Sequence, residues 1–340
     1  MIFLGDIACP SERESSFASS IIEQHVFDDK VIVANYEAVI LKDGDKYKDG
    51  TLYNSINALR GFDKSKKVIV SLANNHMFDY PERILYTRDS LEAVGVGVFG
   101  LCNEDGTFSP YVYEDEEGNK SAFFGHCWSL YTKTNTNIVN NVRIVDCGYD
   151  VFISEIKKYK MLHEDTKVYC MMHWNYDLEK LPLPMHRTVS QALIDAGVEA
   201  VIGSHAHVPQ GVDLYKGHLI AYGLGNFYLP SGIFFNGRLK YPKCSHETYG
   251  VDVKESKIVW FNTDEKTAIE HIGSESYMGD KINGFSQFRD LNQKQYISYY
   301  KKNRTKRKLV PVFDDYCGIN YKLKELLMLQ KVKLIRLIKF

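Results

Sequence analysis

Five short apolar runs each end on residues that can bind a metal ion. Residues 2–4 lead to Asp6, 31–34 to Glu37, 68–73 to Asn75 and His76, 167–172 to His173, and 200–202 to His205 and His207. Carboxylate, amide and imidazole together form a mixed oxygen and nitrogen set, which suits two adjacent divalent ions such as manganese, iron or zinc better than calcium. Two such ions serve hydrolysis: they lower the pKa of a bound water and neutralise charge on the group it attacks.

Residues so far apart can meet only if the runs are strands of one layered fold. Strand, turn and helix alternate: helical periodicity or helix-start signals follow at 11–25, 81–94, 151–162 and 184–196, the last opened by Pro184 and closed by Gly197. Buried strands alternating with helices predict an α/β layered fold, and such sheets bind ligands at the carboxyl ends of their strands. Residues 104–125 predict a hairpin around the acidic turn 114–119, and 132–141 a polar loop. No internal repeat interrupts the pattern.

The chain has 340 residues, 44% hydrophobic and 25% charged, which is globular composition and excludes collagen, coiled coil and wholesale disorder. No apolar run approaches the roughly 18–20 residues that span a bilayer. Seven scattered cysteines without a Cys-x-x-Cys pair predict reduced thiols in a cytoplasmic setting.

The net charge of -1 hides an asymmetry. Residues 286–340 carry 14 Lys or Arg against 4 Asp or Glu, leaving 28 against 39 in the first 285. Leu323, Leu326, Leu327, Leu334, Leu337 and Ile338 fall on one side of a basic helix. Two units are therefore expected, a catalytic domain over 1–265 and a helical basic extension over 266–340. The extension is expected to pack on the body or a second subunit, or to meet a membrane surface at its inner face. The acidic body and the absence of a nucleic-acid motif exclude nucleic acid as the expected partner.

The motifs Gly5-Asp6, Asn35-Tyr36-Glu37, Leu72-Ala73-Asn74-Asn75-His76 with Asp79, His173-Trp174, Gly203-Ser204-His205-Ala206-His207-Val208 and Tyr222-Gly223-Leu224-Gly225-Asn226-Phe227 resemble the CapA family of poly-gamma-glutamate and capsule biosynthesis proteins. The resemblance runs in order over roughly residues 1–230. It implies a calcineurin-like metallophosphatase β-sandwich flanked by helices. It also implies that Asp6 and His207 serve one metal and Asn75, His173 and His205 the other, with Glu37 between or beside them. His76, Asp79 and Asn74 are then expected to be catalytic. Substrate contacts are expected of Asn226, of Trp174 and of Arg187, which opens the helix after Pro184. In place of the family's common His-Trp-Gly followed by an acid, this chain has His173-Trp174-Asn175-Tyr176-Asp177.

The function expected is metal-dependent hydrolysis of a phosphate ester in the making of capsular polysaccharide or poly-gamma-glutamate, on a phosphorylated or polymeric substrate. Two rivals stand beside it: a non-hydrolytic accessory protein that binds polymer or an assembly partner, and a metal-dependent amide hydrolase acting on the polymer.

Overall fold

The computed structural model describes residues 1–133, 142–263, 269–305 and 310–338. The apolar runs rich in valine and isoleucine become strands of two large sheets. The first follows the order Ile269–Ser276, Lys257–Thr263, Glu247–Asp252, Ile2–Ile7, Val31–Tyr36, Lys67–Ser71 and Gly97–Phe99, and Asn226–Tyr228 pairs in parallel with Ile2–Ile7. The second follows Val212–Tyr215, His218–Ala221, Val198–Ser204, Lys167–His173, Lys120–Cys127 and Tyr111–Glu114. A two-stranded ribbon joins Leu101–Asn103 to Val142–Ile144.

Alternation along each strand sorts side chains into layers. Phe3, Val31, Val33 and Ile69 of the first sheet pack with Phe123, Tyr169, Met171 and Ile202 of the second in one core between the sheets. The opposite side chains of the first sheet, among them Ile32 and Val70, pack with Phe17 and Ile21 of the helix Glu14–Ile22 and with Leu91 of Ile84–Ala93. The outer face of the second sheet packs with Phe152 and Ile156 of Tyr149–Leu162 and with Val189 and Leu193 of Pro184–Asp195. The result is the expected sandwich flanked by helices. Strands covered on both faces read as nearly continuous apolar runs, which is why they stand out in the sequence.

Parallel register aligns the strand ends. Asp6 lies opposite Asn35 and Asn226, Asn35 opposite Ser71, and Ser204 opposite His173. The polar residues beyond those positions therefore emerge along one edge of the sandwich.

The C-terminal part differs from expectation. The boundary at 265 and residues 306–308 of the basic run lie outside the described residues, as does most of the loop expected at 132–141. Past the boundary comes a strand, Ile269–Ser276, that continues the first sheet. Phe288, Tyr296, Tyr300 and Phe313 are buried in the same core as Trp174 and Val201. The segment is thus part of the body's packing rather than a separate helical extension. Tyrosine rings supply apolar area, and the hydroxyl can find an acceptor, as Tyr296 does in donating to the carbonyl of Pro182. The final helix, Gly318–Ile338, rests on the body through Tyr321, Met328 and Leu329. Among the described residues no helix is long and apolar enough to cross a membrane.

Candidate metal centre

Asp6 owes its position to the residue before it. A Cβ on Gly5 would stand 1.9 Å from the carbonyl oxygen of Gly225, so only glycine lets the chain before Asn226 run this close. The Asp6 carboxylate is fully buried and accepts from Asn35 Nδ2 at 2.8 Å and from the His205 backbone N–H at 3.1 Å. His207 Nδ1 is 3.3 Å from it.

Glu37 is equally buried, and one of its oxygens accepts from the same Asn35 amide. One side chain thus ties two like charges together. The other oxygen, Oε1, has no hydrogen-bond partner among the described residues; it lies 3.6 Å from His173 Nε2 and 3.9 Å from His76 Nε2. His173 Nε2 is also 2.6 Å from Asn75 Oδ1 and 3.0 Å from His205 Nδ1, while its Nδ1 is 3.1 Å from Ser204 Oγ. His205 and His207 project from a turn in which both have positive φ, 83° and 56°. Non-glycine residues in that region are strained, and such strain collects where function demands a particular side-chain direction. His207 donates through Nδ1 to Asn226 Oδ1 at 2.8 Å, which makes Nε2 the nitrogen that could meet an ion.

Two buried sets of potential ligand atoms result, each within 4.8 Å: Asp6, Glu37 and His173, and Glu37, His205 and His207. They share Glu37. Protein charge alone balances this cluster poorly. Burial, and after it Asp6, holds the Glu37 carboxyl well above its usual range. Burial, and after it the other histidines, holds His173 well below. Burial opposes charge on His207 as well, yet its hydrogen bond to Asp6 raises it overall. A cation between these groups would satisfy Glu37 Oε1 and relieve the repulsion between the carboxylates. The donor set therefore fits divalent ions.

The strand-end residues Asp6, Glu37, Asn75, His76, His173, His205 and His207 are all brought to this edge. The contacts pair His207 with Asp6, and His173 with Asn75 and His205, while Glu37 is common to both ligand sets. His76 Nδ1 is 2.7 Å from Asp79 Oδ2, which also accepts the Leu52 backbone N–H, so Asp79 orients His76. Burial disfavours charge on His76, but Asp79 and Glu37 outweigh it and its pKa is raised. Asn74 turns inward: it donates to Tyr36 O at 2.8 Å and Asn35 Oδ1 at 3.3 Å, and accepts from Ala38 N–H. It positions the Asn35 to Ala38 turn and does not face the cluster.

The substrate contacts expected of Arg187 and Trp174 meet a different placement. The Arg187 guanidinium is 3% exposed and donates to Leu291 O and Asp213, with the Tyr296 ring 4.5 Å away. It holds the C-terminal segment to the body. The Trp174 indole donates to Tyr222 O and stacks on His186 at 4.4 Å, inside the core. Four neighbours of the cluster went unassigned in the sequence. Asn35 is within a motif, but its role needs the register. Asp177 Oδ1 is 3.3 Å from His205 Nε2 at the rim. The Tyr131 ring lies 4.2 Å from His205 and the Tyr241 ring 5.2 Å from His207.

Fold and site together define a layered α/β protein with a buried carboxylate and histidine cluster at the strand ends. Over residues 13–231 the chain matches the bacterial capsule synthesis protein PGA_cap family, and it belongs to that family. It is 25% identical over 254 residues to the capsule biosynthesis protein CapA of Bacillus anthracis, covering 68% of this chain and 60% of that protein. It is 27% identical over 170 residues to the PGA biosynthesis protein CapA of Bacillus subtilis strain 168, covering 48% of this chain and 43% of that one. The chain thus spans 60% or less of these curated relatives. A Staphylococcus aureus protein solved with α-ketoglutarate aligns over 88% of this chain and 58% of its own, at 13% identity and a TM-score of 0.46.

Proposed function

We propose that this protein is a metal-dependent phosphoester hydrolase that acts in the making of an extracellular polymer, capsular polysaccharide or poly-gamma-glutamate. One observation carries the reading: two buried ligand sets share Glu37, whose Oε1 has no hydrogen-bond partner among the described residues. The names of the Bacillus relatives support the polymer context.

Asp6 and His207 would hold one divalent ion and Asn75, His173 and His205 a second, of manganese, iron or zinc, with Glu37 between them. Such ions, when bound, acidify water and neutralise phosphoryl charge. The protein's own part is to orient and to supply a proton. Asn35 holds both carboxylates in place, and Asn226 fixes the His207 ring. His76, whose pKa Asp79 and Glu37 raise against the effect of burial, would donate from Nε2 to the leaving oxygen.

The test is metal analysis of protein purified without chelator, with hydrolysis of a chromogenic phosphate ester in added Mn²⁺, for the wild type and His205→Ala. One to two metals per chain and turnover lost in the variant are expected, on the two-ion pattern. Bound metal with cleavage of γ-glutamyl amides but not phosphate esters would make the protein the amide hydrolase instead. No metal under any loading condition would leave the accessory role.

A further inference from the structure

The helix Gly318–Ile338 has two apolar faces, and only one is covered. Tyr321, Met328 and Leu329 pack inward on the body. Opposite them, Ile319, Leu323, Leu326, Leu327 and Leu334 are between 51% and 77% exposed. At about 100° per residue these five positions fall within a sector of roughly 100°, one continuous stripe about 22 Å long. A stripe of that kind is not ordinary surface.

We propose that this outer face docks flat on an anionic lipid surface. Charge decides between the occupants. Residues 318–340 contain six Lys or Arg and one acid, Glu325. Glu325 is 9% exposed and turned inward, where it accepts from Lys133 and Ser129. By sequence the helix therefore carries leucine together with positive charge, with Lys324 paired to Asp314, and its single acid turns inward. Anionic headgroups above an acyl boundary complement that pattern.

A second copy does not. Pairing two such stripes would bring two basic helices together. Elsewhere on the described surface the strongly exposed large apolar side chains are scattered, with Met161 and Leu162 the nearest to a patch, so the body has no matching stripe. Docking needs no unfolding, because the inner face already anchors the helix. Residues 1–317, everything outside this helix, carry 36 Lys or Arg against 42 Asp or Glu, a net charge of -6, so an anionic surface attracts the helix rather than the body as a whole. This inference is independent of the hydrolase reading.

The test is flotation of the full chain with phosphatidylcholine vesicles, with and without phosphatidylglycerol, comparing wild type and the double variant Leu323→Asp, Leu327→Asp. Both positions are exposed, so the variant should keep the wild-type thermal midpoint. Binding only to the phosphatidylglycerol vesicles is expected, weakened at least about tenfold in the variant and suppressed by salt. Equal flotation of the two proteins, or none with either vesicle, would overturn the proposal. So would a fall in solution mass in the variant without a change in flotation, which would assign the stripe to a second copy.

Discussion

His173 Nε2 and His205 Nδ1 face each other at 3.0 Å, with Asn75 Oδ1 and Glu37 Oε1 beside them. Two bare imidazole nitrogens repel at that range unless one carries a proton or both face a cation. Nitrogens bound at right angles about 2.1 Å from one ion stand about 3.0 Å apart, and tetrahedral ones about 3.4 Å. The spacing belongs to ligands of a shared ion as readily as to a hydrogen bond. The orphaned Glu37 oxygen favours the ion.

If so, Glu37→Gln should bind metal far more weakly while folding normally. The amide keeps the shape and loses the charge common to both ligand sets. An affinity loss of about a hundredfold or more is expected, beyond the 10–100-fold typical of outer-shell changes. Calorimetric titration with Mn²⁺ reads it; wild-type affinity in the variant would remove Glu37 from the centre.

Asn35→Ala should destabilise the chain in a metal-dependent way. The amide bridges Asp6 and Glu37, and its loss leaves two buried carboxylates without their shared donor. A cost of about 1–3 kcal/mol is expected in chelator. With Mn²⁺ the cost should shrink, because the cation offsets the repulsion. Urea unfolding under both conditions measures the difference, and equal losses would mean that Asn35 acts by packing alone.

Replacing Asp79 by Asn should move the alkaline limb of the kcat profile to lower pH. His76 is raised by Asp79 and Glu37 against the effect of burial, so its protonated form persists to higher pH than that of a free histidine. Removing one of those charges contracts that range. A fall in kcat of up to about 100-fold should accompany the shift, the lower end of what general acid catalysis contributes. A limb that stays put would show that His76 is not the donor.

Acid sensitivity has a source away from the centre. Burial pushes His126 down to about 4, against the hydrogen bond its Nε2 makes to Cys147 O. Between that value and the ordinary 6.5 the unfolded chain binds the proton and the folded chain does not. Stability from this group is therefore full above pH 6.5 and falls as pH drops towards 4, by about 3 kcal/mol in all. Chemical unfolding of His126→Gln across this window should show a shallower slope. The same slope as wild type would place the acid transition elsewhere, with the buried His186 next in line.

Strand ends were the legible part of the site. A short, nearly continuous apolar run ending in a polar residue marks both a buried strand and its exit, and parallel register then brings Asp6, Glu37, Asn75, His173 and His205 to one edge. Arg187 and Trp174 were misread because a helix start or a strand exit reveals a position and not the partner it meets. What covers Arg187 is Tyr296, more than a hundred residues later. Tyr131 and Tyr241 reach the cluster from outside its strands, where no periodicity announces a direction. The C-terminal segment was read as an extension because its lysines outweigh its tyrosines in any count of charge, whereas burial follows the rings.

Asp6 meets the backbone of His205 across a separation of 199 residues, and Asn226, which steadies His207, lies further along still. During synthesis no early portion of the chain contains a complete chelating set. Only once residues through 226 are present can the set that includes His207 be held as it is in the folded chain, so any ion that uses that set would be captured late. An ion bound there would therefore report that Asp6 of the first sheet and His207, just past a strand of the second, have met.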